Sequence, residues 1–187
     1  AVKEVRKNLE EFFKEYNDFE GKVKKKTPKL SIFIDDISQI RAASGFDLKR
    51  IYFDGNCHYN NPDDYFKNIK ETLKRGSLMA APTEFVWVLS SFISEEDAVR
   101  CQKIVKELQD EGIIISVMGD FPAMDEIFDC SIHGNHNLNV WNSFCVLNLN
   151  ASGFKSLILS SELSGKEIKE LVLRNHDRNI DLEMIVN

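Results

Sequence analysis

The amino-acid sequence predicts an α/β fold of about seven parallel strands alternating with helices, with an extra helix at the N-terminus. Three observations predict it. Short runs rich in Ile, Val, Leu and Phe recur along residues 30–187, stretches of helical periodicity separate them, and several of those stretches carry their own capping signals. Parallel neighbours need a crossover connection, so strands that alternate with helices read as βα units rather than as an antiparallel meander.

From Val2 to Val23 the apolar positions Val5, Leu9, Phe12, Phe13, Tyr16 and Phe19 recur at three- and four-residue steps, the pattern of an amphipathic helix. Lys24–Lys29, with Thr27 and Pro28, breaks it, because proline cannot continue a helix and restricts the residue before it. Residues 1–29 are therefore expected to be an N-terminal helix and basic linker, and residues 30–187 the domain proper.

The expected strands are Leu30–Ile34, Arg50–Phe53, Phe85–Leu89, Ile113–Val117, Ile127–Ile132, Ser156–Leu159 and Asp181–Val186. Ser94 with Asp97 resembles a capping box before the third helical stretch, and Gly112 stands where a helix ends. Asn137 or Asn139 is the expected start of the helix that Gly153 closes, and Ser164 with Glu167 forms a second capping box. The strand spacing suits an incomplete (β/α) barrel or a doubly wound open sheet, and periodicity does not choose between them. At 187 residues the chain is shorter than the ~250 of a complete eightfold barrel.

Composition narrows the function classes. A formal net charge of −6 argues against a dedicated nucleic-acid surface, and the one basic cluster, Lys22, Lys24, Lys25, Lys26 and Lys29, reads as a solvated helix end. No apolar run is long enough to span a membrane and no signal peptide opens the sequence, so the expected location is cytoplasmic. Cys57, Cys101, Cys130 and Cys145 stand far apart without a C-x-x-C pair and are expected to be reduced thiols. Ala1 at the start, and Asn187 directly after an apolar run, are expected to be boundaries within a longer protein.

In either fold the reactive groups gather at the carboxyl ends of the strands. Those positions hold Asp35, Asp36, Asp54, Asn56, Cys57, His58, Ser90, Ser91, Gly119, Asp120, His133, Asn135, His136, Ser160, Ser161 and Glu162. The rim is acidic and amide-rich with few cations, able to hold a cation, hydroxyls or a peptide backbone. Cys130, His133 and His136 are metal-type ligands at three-residue steps, but residues three apart on a strand face opposite ways, so no metal site is expected. The G-x-S-x-G, H-E-x-x-H, G-x-x-x-x-G-K-[ST] and G-x-G-x-x-G patterns are absent.

The segment from Gly112 onward carries Met118-Gly119, then Asn137-Leu138-Asn139-Val140-Trp141-Asn142, then Leu159-Ser160-Ser161-Glu162-Leu163, and closes on a strand around Glu183. This succession resembles the collagenase-like peptidases, the thirty-second family of peptidases of unknown catalytic type, found in bacteria and archaea. Leu30–Gly55 is similar to the opening strand, helix and strand of the same barrel. The resemblance implies a TIM-type or incomplete barrel over an open sheet, and a parent protein that hydrolyses peptides or modifies RNA or quinones. It also implies an iron–sulfur cluster in the full-length parent, held by a cysteine-rich stretch that this sequence does not contain; no cofactor is expected in the fragment. The sequence has Asn187 where many relatives carry histidine and Ser161 where many carry arginine.

Two functional expectations follow. In the first, the barrel forms the substrate pocket of an enzyme, with Glu162 as the catalytic carboxylate and Asp35, Asp54, Asn56, His133, Asn142, Ser160 and Glu183 binding a peptide or other polar substrate. In the second, the barrel is a non-catalytic binding or scaffolding module whose partners are the remaining domains of its parent, without membrane or nucleic acid.

Overall fold

The computed structural model describes residues 28–34, 39–43, 46–54, 67, 69–74, 83–91, 93–120 and 124–186. The expected N-terminal helix falls outside the described residues. Seven strands form one sheet in sequence order: β1 (Leu30–Ile34), β2 (Leu48–Asp54), β3 (Glu84–Val88), β4 (Ile115–Gly119), β5 (Ile132–Gly134), β6 (Phe154–Ile158) and β7 (Asp181–Glu183). Every neighbouring pair is parallel. Among the described residues, the helices with both ends defined are α1 (Ile40–Ala43), α2 (Glu95–Asp110), α3 (Met124–Ile127), α4 (Ser143–Ala151) and α5 (Gly165–Arg174), and residues 69–74 are helical as well.

The two faces of the sheet have different chemistry. Ile51, Phe53, Phe85, Trp87, Ile115, Val117, Ile132 and Leu157 pack with Ala98, Cys101, Val105, Leu108, Val146, Ile168 and Leu171 of the helices into the main core. Phe53 and Trp87 stack there with ring centroids 5.9 Å apart. On the opposite face Tyr52, Val86, Val88 and Met118 form a second, smaller buried cluster.

Side chains on that second face show that the sheet curls. β2 and β7 stand five strands apart, about 24 Å in a flat sheet, yet Arg50 Nη2 lies 3.1 Å from Asp181 Oδ2. Only a sheet bent round a bore brings them together. The fold is an incomplete TIM-type α/β barrel, with helices outside and the second face lining the bore.

Two bulges tune what faces inward. Leu30 and Ser31 of β1 pair with Leu48 and Arg50, leaving Lys49 as an extra residue, and Ile132 and His133 of β5 pair with Phe154 and Ser156, leaving Lys155 extra. An extra residue reverses the alternation beyond it. Leu48 and Phe154 therefore face the helices, while Arg50 and Ser156 face the bore.

Ser94 caps α2 by accepting from the Asp97 amide, Gly112 follows its end at φ 83°, and Ser164 with Glu167 makes a complete capping box on α5. Several expected boundaries are corrected. β4 starts at Ile115 rather than Ile113, because the Ile113 amide closes the end of α2 on the Leu108 carbonyl. The apolar run assigned to a strand at Ile127–Ile132 begins with the last residue of α3, and the Phe128 amide bonds back to Met124. A short apolar run suits a helical turn as well as a strand. β6 starts two residues early, and Leu159 makes only a single bridge to Val140. α4 starts after Asn142, not at Asn137 or Asn139: His136–Leu138 is a single 3-10 turn that Asn139 ends at φ 49°. β7 stops at Glu183, and Met184, Ile185 and Val186 run on exposed and outside any strand.

Candidate functional site

The bore has two levels. At the first, polar side chains from six strands, β2 to β7, meet in a hydrogen-bonded ring. Arg50 donates from Nε to Glu84 Oε2 at 2.6 Å and from Nη1 to Glu183 Oε1. Tyr52 donates to Glu183 Oε2 at 2.8 Å, and Ser116 donates to Glu84 Oε1 at 2.7 Å. The His133 ring lies with Nε2 3.1 Å from Glu84 Oε1 and Nδ1 2.7 Å from Ser156 Oγ. Lys49 pairs with Asp181 beside them.

Burial governs the electrostatics. It would raise the Glu84 carboxyl, but His133, Ser116 and Arg50 together hold it down at about 2. It would also raise Asp181, which Lys49 and Arg50 pull below the usual carboxylate range. Burial next to Glu183 pushes the Tyr52 phenol far up, so it stays protonated and donating. Burial opposes the charge of Arg50, yet the Glu183 and Glu84 carboxylates keep its guanidinium ionised. A buried ion pair adds little net stability against an apolar pair, but removing one partner leaves an uncompensated charge.

Ser156, His133 and Glu84 form a serine–histidine–carboxylate chain, the geometry of an activated nucleophile. Access decides against that chemistry. His133 and Ser156 are both 0% exposed, each the middle residue of its strand, and Val88, Met118 and Ile158 pack on the same face of the sheet. The ring is the polar filling of the bore.

The carboxyl ends of the strands hold a second cluster. Ser91, after β3, donates to Asp120 Oδ2 at 2.7 Å, and Asn137, after β5, donates to the same oxygen at 2.8 Å. Asp120 directly follows β4. A hydroxyl, a carboxylate and an amide from three loops thus converge at the mouth. Nearby, buried Asn135 bonds the His136 amide, and buried Ser160 accepts from the Glu162 amide at 3.4 Å.

The residues expected to form one site fall into separate surroundings. His133 and Glu183 belong to the ring inside the bore. Asn142 caps α4, accepting from the Phe144 and Cys145 amides. Glu162 is exposed in the turn between β6 and α5, with no side-chain partner among the described residues. Asp35, Asn56 and the side chain of Asp54 lie outside the described residues. Arg50, Tyr52, Glu84, Ser116 and Ser156 escaped the sequence reading. Their signal was polar residues at two-residue steps inside apolar strands, as in Arg50–Tyr52 and Asp181–Glu183.

Among the described residues no group of three His, Cys, Asp or Glu side chains is arranged to hold a metal ion. Cys101, Cys130 and Cys145 are free thiols on separate elements, and burial pushes Cys101 and Cys130 up to about 12. Neutral, separated thiols do not fit an iron–sulfur cluster. Cys57 lies outside the described residues. No helix among the described residues is long and apolar enough to cross a membrane.

The sequence model of Peptidase family U32 matches residues 65–187, which span β3 to β7. The chain belongs to the U32 peptidase family. Among solved structures, the U32 peptidase Mk0906 superposes with a TM-score of 0.59 at 10% identity, over 89% of this chain and 72% of that one. A dipeptide epimerase from Enterococcus faecalis V583 gives 0.55 at 12%, over 90% of this chain and 50% of that one. The 3,6-anhydro-D-galactonate cycloisomerase from Zobellia galactanivorans gives 0.54 at 11%, over 86% and 46%. The chain thus spans about half the length of those last two proteins, and likeness at such identities shows the fold alone. No curated protein matches the chain.

Proposed function

We propose that this chain is the substrate-holding barrel of a U32-family protein, and that a peptide or another polar substrate sits at the mouth formed by the carboxyl ends of β3 to β6. The observation that carries this reading is the convergence of Ser91, Asp120 and Asn137 from three loops. The level below is filled by a paired ring, which leaves the mouth as the place where donors and acceptors meet solvent. A carboxylate held by neutral donors suits the N–H groups of a peptide backbone or an ammonium group.

Binding without cleavage is the activity these residues support. Hydrolysis needs a positioned base together with groups that stabilise developing negative charge. The described rim residues include no Lys or Arg, and Glu162 stands apart from the Asp120 cluster. Cleavage, or an iron–sulfur-dependent modification of RNA or quinones, would need groups that the described rim does not supply.

A gelatin-derived peptide mixture titrated into the chain and followed by amide NMR shifts tests the proposal. Shifts should cluster at residues 90–91, 119–120 and 135–138, and Asp120→Asn should weaken binding about tenfold without changing Tm. Unaltered binding in folded Asp120→Asn and Asn137→Ala would sink the mouth as the site. Peptide hydrolysis lost in Glu162→Gln would instead make Glu162 catalytic.

A further inference from the structure

The last strand of the sheet is held in an unusual way. β7 is three residues long and pairs with β6 alone among the described residues, through Ser156↔Asp181, Leu157↔Leu182 and Ile158↔Glu183. Three residues is at the short end of the range for strands. Two of its three side chains, Asp181 and Glu183, are carboxylates facing the bore, where branched apolar residues usually stand. Their partners are on β2. Lys49 pairs with Asp181, Arg50 reaches both Asp181 and Glu183, and the Tyr52 hydroxyl donates to Glu183 at 2.8 Å.

Those cations face the bore because of the bulge at Lys49. Without the extra residue, strict alternation from the outward Leu48 would turn Lys49 inward but Arg50 outward into the apolar helix layer. The bulge therefore presents two adjacent cations to the two carboxylates of a strand five positions away.

We infer that Lys49, Arg50 and Tyr52 of β2 form an electrostatic latch on Asp181 and Glu183, which fastens β7 across the bore and governs the opening of β7 together with residues 184–186. Arg50 also bonds Glu84 of β3, whereas Lys49 pairs with Asp181 and Tyr52 with Glu183, both on β7. β3, β4 and β5 each pair on both sides and keep their places when it is released. The carboxyl end of β7 adjoins the mouth through the Leu159 amide, which donates to the Glu183 carbonyl at 2.8 Å, so release also loosens the turn that carries Ser160 and Glu162. This inference does not depend on which substrate the mouth binds.

Residue-resolved hydrogen–deuterium exchange on the whole chain tests it. In the Lys49→Met/Tyr52→Phe double variant, which leaves the Arg50–Glu84 pair in place, the amides of residues 182–184 and of Leu159 should exchange at least tenfold faster than in the unaltered protein, while those of Val86 and Val117 keep their rates. If the double variant does not fold, Lys49→Met alone should give the same local pattern at several-fold. Unchanged β7 exchange in a folded variant overturns the latch, and so does equal acceleration across all strands, which would make the cluster a support of the whole barrel. Loss of peptide binding at the mouth has no bearing on this readout.

Discussion

Glu84 stands first in β3 and receives hydrogen bonds from Arg50 and Ser116 while the His133 ring contacts it. Its carboxyl, ordinarily near 4.5, sits at about 2 in the folded chain despite the opposing effect of burial. A folded value below the unfolded one means that its contribution is fully present above pH 4.5 and is lost as pH falls towards 2. The size is at most about 3 kcal/mol. Asp181, also held low, acts in the same direction. Urea midpoints measured at pH 6, 4.5 and 3 should therefore decline, and Glu84→Gln should be less stable at pH 6 but show a shallower decline. An equal slope in both proteins would mean that other carboxylates carry the acid sensitivity. The identity of Glu84 was plain in the sequence, but its significance was not. A lone Glu at the start of a strand reads as solvated until Arg50 and His133 are brought beside it.

At the scale of the element, local chemistry was the most legible. The capping residues Ser94, Ser164 and Glu167 and the closing Gly112 and Gly153 stand where their types predicted, because capping acts over three or four residues. Asn142 shows the limit of such reading: with Asn135, Asn137, Asn139 and Asn142 all close together, only the tertiary path selects the N-cap. Asn142→Ala should cost about 1 kcal/mol, and Asn142→Asp, which keeps the acceptor, much less. Gly134 belongs to β5 for a different reason. A Cβ there would lie 2.5 Å from Leu157 Cδ2 and 2.7 Å from Leu138 Cδ1. Gly134→Ala should therefore destabilise by about 1–3 kcal/mol through overpacking. Chemical denaturation of the three variants checks both statements, and a neutral Gly134→Ala would show that the two leucines yield freely.

For the whole molecule, the question is whether the core outside the sheet and the ring inside it unfold together. Each strand contributes to both, since neighbouring residues on a strand face opposite ways: Ile51 and Tyr52, Phe85 and Glu84, Ile132 and His133. Shared strands couple the layers, and one transition is expected. Trp87 is buried in the outer core while Trp141 is 40% exposed. In Trp141→Phe, the remaining fluorescence and the far-UV circular dichroism should give the same urea midpoint. Two midpoints would separate the layers.

The sequence by itself determined the alternation of strands and helices, the parallel βα units and most helix caps, because these follow from side-chain periodicity and from contacts a few residues long. It also carried the family, through consecutive motifs between Gly112 and Glu183. Tertiary structure alone decided which polar residues act together. Arg50 and Glu183 are 133 positions apart and meet only because the sheet curls and a bulge at Lys49 reverses the alternation. Neither curvature nor a one-residue shift of register leaves a mark on local composition. His133 and Glu183, expected at a substrate site, were for that reason found in the filling of the bore, while Ser91, Asp120 and Asn137 met at its mouth.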